Sequence, residues 1–234
     1  MPRFFCSEAV APDSTFTLSA EAAQHVRVLR LRDGDGIVLF DGHGGETPAT
    51  INSIGKREVV VTAAQHVAIE REAVRTVTLY AALIANDRMD WLIQKTTELG
   101  VAAIQPLYSE RSQRIPGDVA KRVEHWRGVA IAACEQCGRN RIPDVAAPMS
   151  LRDALPATQG QVNVLLDAEG GIGQANSGAA GHMSLNVFVG PEGGFAPQER
   201  EALLAHCQSK LRIGATVLRA ETAALAAMAL LANL

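Results

Sequence analysis
The sequence predicts an α/β protein in two parts, a parallel-sheet domain with helices on its faces preceded by a small β-barrel domain. Three observations predict it. From about residue 74 short apolar runs alternate with helix-period patterns, the rhythm of a parallel sheet covered by helices. Up to about residue 70, short strand-like runs are separated by tight-turn residues and leave room for one helix. Glycine-rich bends follow apolar runs in the C-terminal half, where ligands of open α/β sheets bind beyond the strand ends. The 234 residues suffice for two unequal domains. Their expected spans are 1–70 and 74–234, with the boundary between Ala68 and Arg75.

Taken in order, the first helix has Ser19 as a cap and Ala22, Ala23, Val26 and Leu29 to Leu31 as its apolar face. Gly36 to Phe40 is a short strand, and Asp41-Gly42-His43-Gly44-Gly45 is a turn of residues suited to positive φ. Ala49 to Ile54 and Glu58 to Thr62 read as a hairpin closed by Gly55-Lys56-Arg57. In the second part Val77 to Ala85 is a strand. Asn86 or Asp87 caps a helix with Met89, Leu92, Ile93, Thr96 and Leu99 on one face, and Gly100 ends it. Val101 to Leu107 is the next strand. Asp118 caps a longer helix carrying Val119, Val123, Trp126, Ala130 and Ala133 along one stripe, stopped at Gly138. Gln161 to Leu166 and Leu185 to Val189 are strands, and Gly170 to Gly181 is a flexible connection. Pro197 opens a short helix through Leu204, and an alanine-rich helix closes the chain.

Composition narrows the function. A net charge of −3 excludes a uniformly basic surface, so RNA binding must come from local arginine clusters. No run approaches the roughly 20 apolar residues of a membrane span, and the first residues lack the apolar core of a signal peptide. Four cysteines are too few and too uneven for a disulfide framework, so a reducing cytoplasm is expected. Cys134-x-x-Cys137 lies at a helix end without a preceding strand and reads as structural rather than redox-active. No second Cys or His pair sits at zinc spacing, and no His accompanies a Ser or Cys nucleophile, so metal and covalent chemistry are not expected.

The bends carry the chemistry. Gly190-Pro191-Glu192-Gly193-Gly194-Phe195 places three glycines in five residues after a buried strand, which lets main chain approach a ligand closely. It is neither a dinucleotide fingerprint nor a phosphate loop. Leu218-Arg219-Ala220-Glu221-Thr222-Ala223 follows Ile213-Gly214 and leads into the last helix, and Asp167-Ala168-Glu169-Gly170-Gly171 is a third bend after Leu166. Such bends side by side make a pocket built mainly of main chain. Arg27, Arg30 and Arg32, then Arg111 and Arg114, then Arg139 and Arg141 form clusters suited to RNA phosphates.

At these motifs the sequence resembles the RsmE family of ribosomal RNA methyltransferases. The likeness runs through Asp90 to Val101, Ile104-x-Pro106-Leu107-x-Ser109-Glu110-Arg111-Ser112, Glu135 to Arg139 with Pro143, and both bends above. It also takes in Pro2-Arg3-Phe4-Phe5 and His25 to Gly36, and so covers nearly the whole chain. Departures are mild: Ile213 stands where Leu is usual, Val217 for a common Ile, and Cys137 for a small residue.

The resemblance implies a SPOUT-type domain with a trefoil knot that binds S-adenosylmethionine, a PUA-like barrel that helps hold RNA, and a homodimer. It implies methylation of N3 of a uridine in 16S rRNA of the small ribosomal subunit, the position numbered 1498 in the standard scheme. Carried onto this sequence, the cofactor contacts are Leu165, Val189, Gly190, Gly194, Ile213, Gly214, Leu218, Ala220 and Thr222. Arg139 and Arg219 are candidates to stabilise the uracil anion, and Glu221 to act as base or, alternatively, to cap the last helix. Arg3, Arg27, Arg30 and Arg111 are the candidate RNA contacts. Two other readings compete. A SPOUT methyltransferase acting on tRNA ribose is disfavoured by the whole-chain likeness. A non-catalytic RNA-binding assembly factor is disfavoured by the intact bends.

Overall fold
The computed structural model describes residues 1–115, 117–172 and 181–232. In chain order its elements are β1 (Arg3–Phe5), β2 (Thr15–Thr17), α1 (Ala20–Val28), β3 (Gly36–Phe40), β4 (Thr47–Ile54), β5 (Val59–Ala63), β6 (Thr76–Ala82), α2 (Asn86–Glu98) and β7 (Ala103–Tyr108). There follow α3 (Val119–Cys137), β8 (Asp144–Val145), β9 (Met149–Ser150), α4 (Leu151–Ala157), β10 (Asn163–Ile172), β11 (Ser184–Val189), α5 (Pro197–His206), β12 (Ser209–Arg212) and α6 (Ala220–Leu231).

The first compact unit comprises Met1–Glu72 together with Ile131–Ile142. Its five strands run in the order β1-β3-β4-β5-β2, antiparallel except for the parallel pair β1–β3. Ser19 starts α1 by accepting the Ala22 N–H at 3.2 Å, satisfying one of the orphan donors of the first turn. The helix turns Ala22, Ala23 and Val26 onto Phe4, Ile37, Leu39, Ile51, Val59 and Val61 of the sheet. Each large aliphatic or aromatic side chain so buried contributes roughly 1.5–3 kcal/mol. The end of α3 returns to this unit: Phe5 N–H donates to the Glu135 carboxylate at 2.9 Å, and Ile142 N–H to Gly42 C=O at 3.2 Å. A single boundary along the chain does not anticipate that return.

The second unit, Ala73–Ala130 with Pro143–Leu234, holds a parallel sheet in the order β12-β10-β11-β6-β7-β8, with β9 also on β7. Val77, Leu79, Val187, Phe188 and Val164 are fully or almost fully buried because helices cover the sheet. Helix α6 buries Ala220, Ala224, Ala227, Met228 and Leu231, and packs on α2. Two buried amides keep the sheet centre satisfied: Asn186 Nδ2 donates to Asn163 Oδ1 at 2.9 Å, and Asn163 Nδ2 to Thr158 C=O at 3.0 Å.

Several local expectations are corrected. Strand β6 stops at Ala82 rather than Ala85, and α2 is preceded by Ala85 with no side-chain cap, so neither Asn86 nor Asp87 caps it. Strand β10 extends to Ile172, which takes Gly170 to Ile172 out of the expected flexible connection; the rest of that segment up to residue 180 lies outside the described residues. The last helix, expected from Ala223, starts at Ala220.

Candidate functional site
Three chain segments of the second unit enclose a cavity of about 280 Å³. The first is an interruption within β10, whose pairing with β12 breaks between Leu166 and Gly171 and leaves Asp167 to Glu169 at the cavity wall. The second joins β11 to α5, and the third joins β12 to α6. Of the cofactor contacts expected from the sequence, Leu165, Val189, Gly190, Gly194, Ile213, Leu218 and Ala220 line the cavity. Gly214 and Thr222 do not.

Glycine is required at two points for different reasons. Gly194 sits at φ +66° and closes a turn by donating to Pro191 C=O at 2.8 Å. At Gly190 the reason is space, because a Cβ there would stand 3.2 Å from the Phe195 ring. The loop between them is tied from outside. Arg111 Nη1 donates to Gly193 C=O at 3.0 Å, and Arg88 pairs with Glu192 at 3.3 Å. Glu199 accepts from Ala196 N–H at 3.0 Å and from Glu110 N–H at 2.8 Å, joining this loop to the one after β7.

Charge at the wall was not foreseen from the sequence. Arg200 of α5 donates to Asp167 and to Glu169, each at 2.7 Å, and all three line the cavity with Glu192 and Arg212. The Asp167-x-Glu169 bend was a visible signal for two of them; nothing local marked Arg200, 33 positions away from Asp167.

The expected catalytic residues part company. Arg219 and Glu221 stand at the start of α6, next along the chain to the lining residue Ala220, but neither lines the cavity. Arg219 is exposed, whereas Glu221 is only 7% exposed and its Oε2 is buried without a hydrogen-bond partner among the described residues. A buried carboxylate oxygen left unpaired is costly unless a further group meets it. Glu221 makes no cap hydrogen bond, and Arg219 is the capping residue by position. Arg139 belongs to the first unit, 4% exposed, with Nη2 and Nε donating to Glu72 at 2.5 and 3.3 Å.

Among the candidate RNA contacts, Arg3 is nearly buried. It bonds to Glu46 at 2.7 Å and to Asn140, and lies over the Phe40 ring. Arg27 donates to Gly55 C=O at 3.1 Å. Arg30 is exposed, in the left-handed region at φ +56°, and Arg111 is exposed at its tip. The Arg71 and Arg3 hydrogen bonds hold the Glu46 carboxyl down at about 2. Burial pushes the Cys134 thiol up to about 12, and its Sγ donates to Arg141 C=O. That thiol is a packing group, in keeping with the structural reading of the Cys-x-x-Cys pair.

The cavity chemistry fits S-adenosylmethionine. Aliphatic Leu165, Val189, Ile213, Leu218 and Ala223 suit an adenine face, left-handed Gly194 brings main chain close, and the carboxylates of Asp167, Glu169 and Glu192 outnumber the Arg200 and Arg212 guanidiniums on the wall, which suits a cationic sulfonium. Comparison with known proteins agrees. A family described as RNA methyltransferase domain matches residues 70–232, and one described as RNA methyltransferase PUA domain matches residues 18–63. The ribosomal RNA small subunit methyltransferase E of Rickettsia conorii is 31% identical over 97% of this chain and 93% of its own length. That of Bacillus subtilis is 29% identical over 97% of this chain and 94% of its own. The crystal structure of a ribosomal RNA small subunit methyltransferase E from Neisseria gonorrhoeae bound to S-adenosyl methionine superposes with a TM-score of 0.89 at 33% identity, covering 98% of this chain and 96% of that one.

Proposed function
Because the chain belongs to the ribosomal RNA small subunit methyltransferase E family, we propose that it methylates 16S rRNA with S-adenosylmethionine, at N3 of a uridine. The observation that carries the reading is the convergence of three strand-end segments on one cavity, with a buried, unpaired carboxylate one residue along the chain from the lining residue Ala220.

When bound, the cofactor supplies a methyl group already activated on a sulfonium. The chain must then hold that methyl in line with the uracil nitrogen, and positioning supplies much of the rate. The loop carrying Gly190 and Gly194, the bend at Ile213 and the start of α6 fix the donor. Thr222, exposed in the first turn of α6, and Gly214, at φ +74°, keep a supporting role at the cavity edge. Uracil N3 bears a proton and is a poor nucleophile until it leaves. Glu221 Oε2 accepts that proton as general base, which explains a carboxylate oxygen otherwise buried without a partner. The negative charge then spreads over the flanking uracil oxygens, where the exposed Arg219 guanidinium stabilises it. The Arg139 guanidinium is held by Glu72, so we place the electrostatic role on Arg219 and give Arg139 a positioning role in the first unit.

Arg27 and Arg30 of the first unit and Arg111 of the second offer cations to the rRNA backbone; the nearly buried Arg3 orders the surface beneath. The family's knot is expected around the three segments that meet at the cavity. A homodimer is supported by Trp91 on α2 and Leu230 on α6, each 41% exposed on helices that pack together. We place the protein in the cytoplasm with its substrate; no described helix is long and apolar enough to cross a membrane.

The test incubates the protein with methyl-labelled donor and small subunits from a strain lacking this methylation, then digests the rRNA to nucleosides for mass spectrometry. Labelled 3-methyluridine is expected. Label on a ribose, or none, overturns the base assignment.

A further inference from the structure
Arg111 occupies a junction that the cofactor reading alone does not use. Its backbone lies in a fixed turn: Ser112 Oγ accepts the Ser109 N–H at 3.0 Å and donates to Ser109 C=O at 2.9 Å. The neighbouring Glu110 N–H is held by Glu199, whose second oxygen holds Ala196 at the end of the glycine loop. From this platform the side chain crosses to that loop. Nη1 donates to Gly193 C=O at 3.0 Å, and the stem runs alongside the glycine, its Cδ 3.7 Å from where a Gly193 Cβ would sit. The residue is exposed, and its remaining N–H groups have no partner among the described residues. A guanidinium presents five donors in a planar fork, so one edge can hold a carbonyl while the other holds a phosphate.

We infer that Arg111 is a positioning residue that couples RNA docking to the cofactor loop, one edge gripping Gly193 C=O and the other an RNA phosphate. An exposed arginine loses rotamer freedom when either acceptor fixes it. The Gly193 bond is in place before either ligand arrives, so a phosphate on the free edge steadies the fork and with it the glycine loop, and a cofactor that steadies the loop in turn holds the carbonyl that aims the fork. Cofactor and RNA therefore strengthen one another through this residue, by the same factor in each direction. This rests on the methyltransferase reading above.

The experiment measures the affinity of the unreactive product S-adenosylhomocysteine by equilibrium dialysis, with and without saturating small subunits that lack the methyl group. In the unaltered protein, small subunits should tighten binding about tenfold. In Arg111→Ala the affinity without RNA should change less than threefold and the enhancement should vanish. Arg111→Lys keeps the charge but not the fork, so it should keep most RNA affinity and still lose the enhancement. If Arg111→Ala weakens nucleoside binding more than tenfold without RNA, the residue is a plain brace and the coupling is overturned. If both variants keep the full enhancement, it is likewise overturned. Failure of the unaltered protein to bind the nucleoside at all would instead sink the methyltransferase reading itself.

Discussion
The arginines and carboxylates of the first unit and those at the start of α6 in the second solve opposite problems. In the first unit, Glu46 lies between Arg3 and Arg71, and Arg139 is closed on Glu72. These ion pairs tie distant stretches of chain, and the Arg3, Glu46 and Arg139 side chains have little exposure left for a ligand. At α6, Arg219 is exposed and Glu221 keeps a buried oxygen unpaired. Residue type therefore says little about role. A charge that is closed on a partner holds the fold, whereas Arg219 and Glu221, without one among the described residues, are those on which the proposed chemistry rests.

The largest effect should come at the open end. Glu221→Gln is expected to slow methyl transfer about 10²- to 10⁴-fold, with donor affinity within about threefold and no loss of thermal stability, measured by single-turnover methylation beside calorimetry. A full rate would move Glu221 to the structural side of the comparison. Arg139→Ala should do the reverse. Leaving Glu72 partly buried and alone should cost roughly 2–4 kcal/mol of unfolding free energy, read from denaturant midpoints, while donor binding persists. Unchanged stability with turnover lost would instead place Arg139 in the chemistry.

Glu46 sharpens the contrast through pH. Its carboxyl is held at about 2 against an ordinary 4.5, so the unfolded chain takes up the proton first. Its contribution is fully present above about pH 4.5 and is lost as the pH falls towards 2. In Glu46→Gln the acid limb of the stability curve should flatten across that window, by roughly 2–3 kcal/mol. An unaltered limb would show that the pair contributes nothing net. The smallest effect is expected at Gly194→Ala, where only the left-handed backbone opposes a side chain and the loss is about 1 kcal/mol. Gly42→Ala in the first unit should cost more, because its Cβ would also meet Ile142 Cδ1.

What could be read from the sequence was local. The Ser19 cap, the hairpin at Gly55, the Gly100 and Gly138 stops and the bends at Gly190 and Ile213 all follow from residue chemistry within a few positions. The cavity was legible in outline because the segments around it are bends at strand ends, whereas the side-chain charge on its wall was not. The three-residue strands β1 and β2 were not, since they exist only through pairing with β3 and β5. The return of α3 to the first unit, the Arg139–Glu72 pair and the Arg200 latch on Asp167 join residues 33 or more positions apart, and no local pattern announces them. Glu221 stood out in the motif, but its burial without a hydrogen-bond partner among the described residues depends on tertiary packing that no local pattern carries.

The large sheet ends on one side in β12, four residues with Lys210 exposed, and on the other in the two-residue strands β8 and β9. Neither rim offers a long, flat row of unpaired amides for a second chain to zip onto. Beside the β12 rim, the neighbouring strand is itself interrupted by the kink that forms the cavity wall. Such short rims leave little backbone on which concentrated protein could grow into stacked filaments.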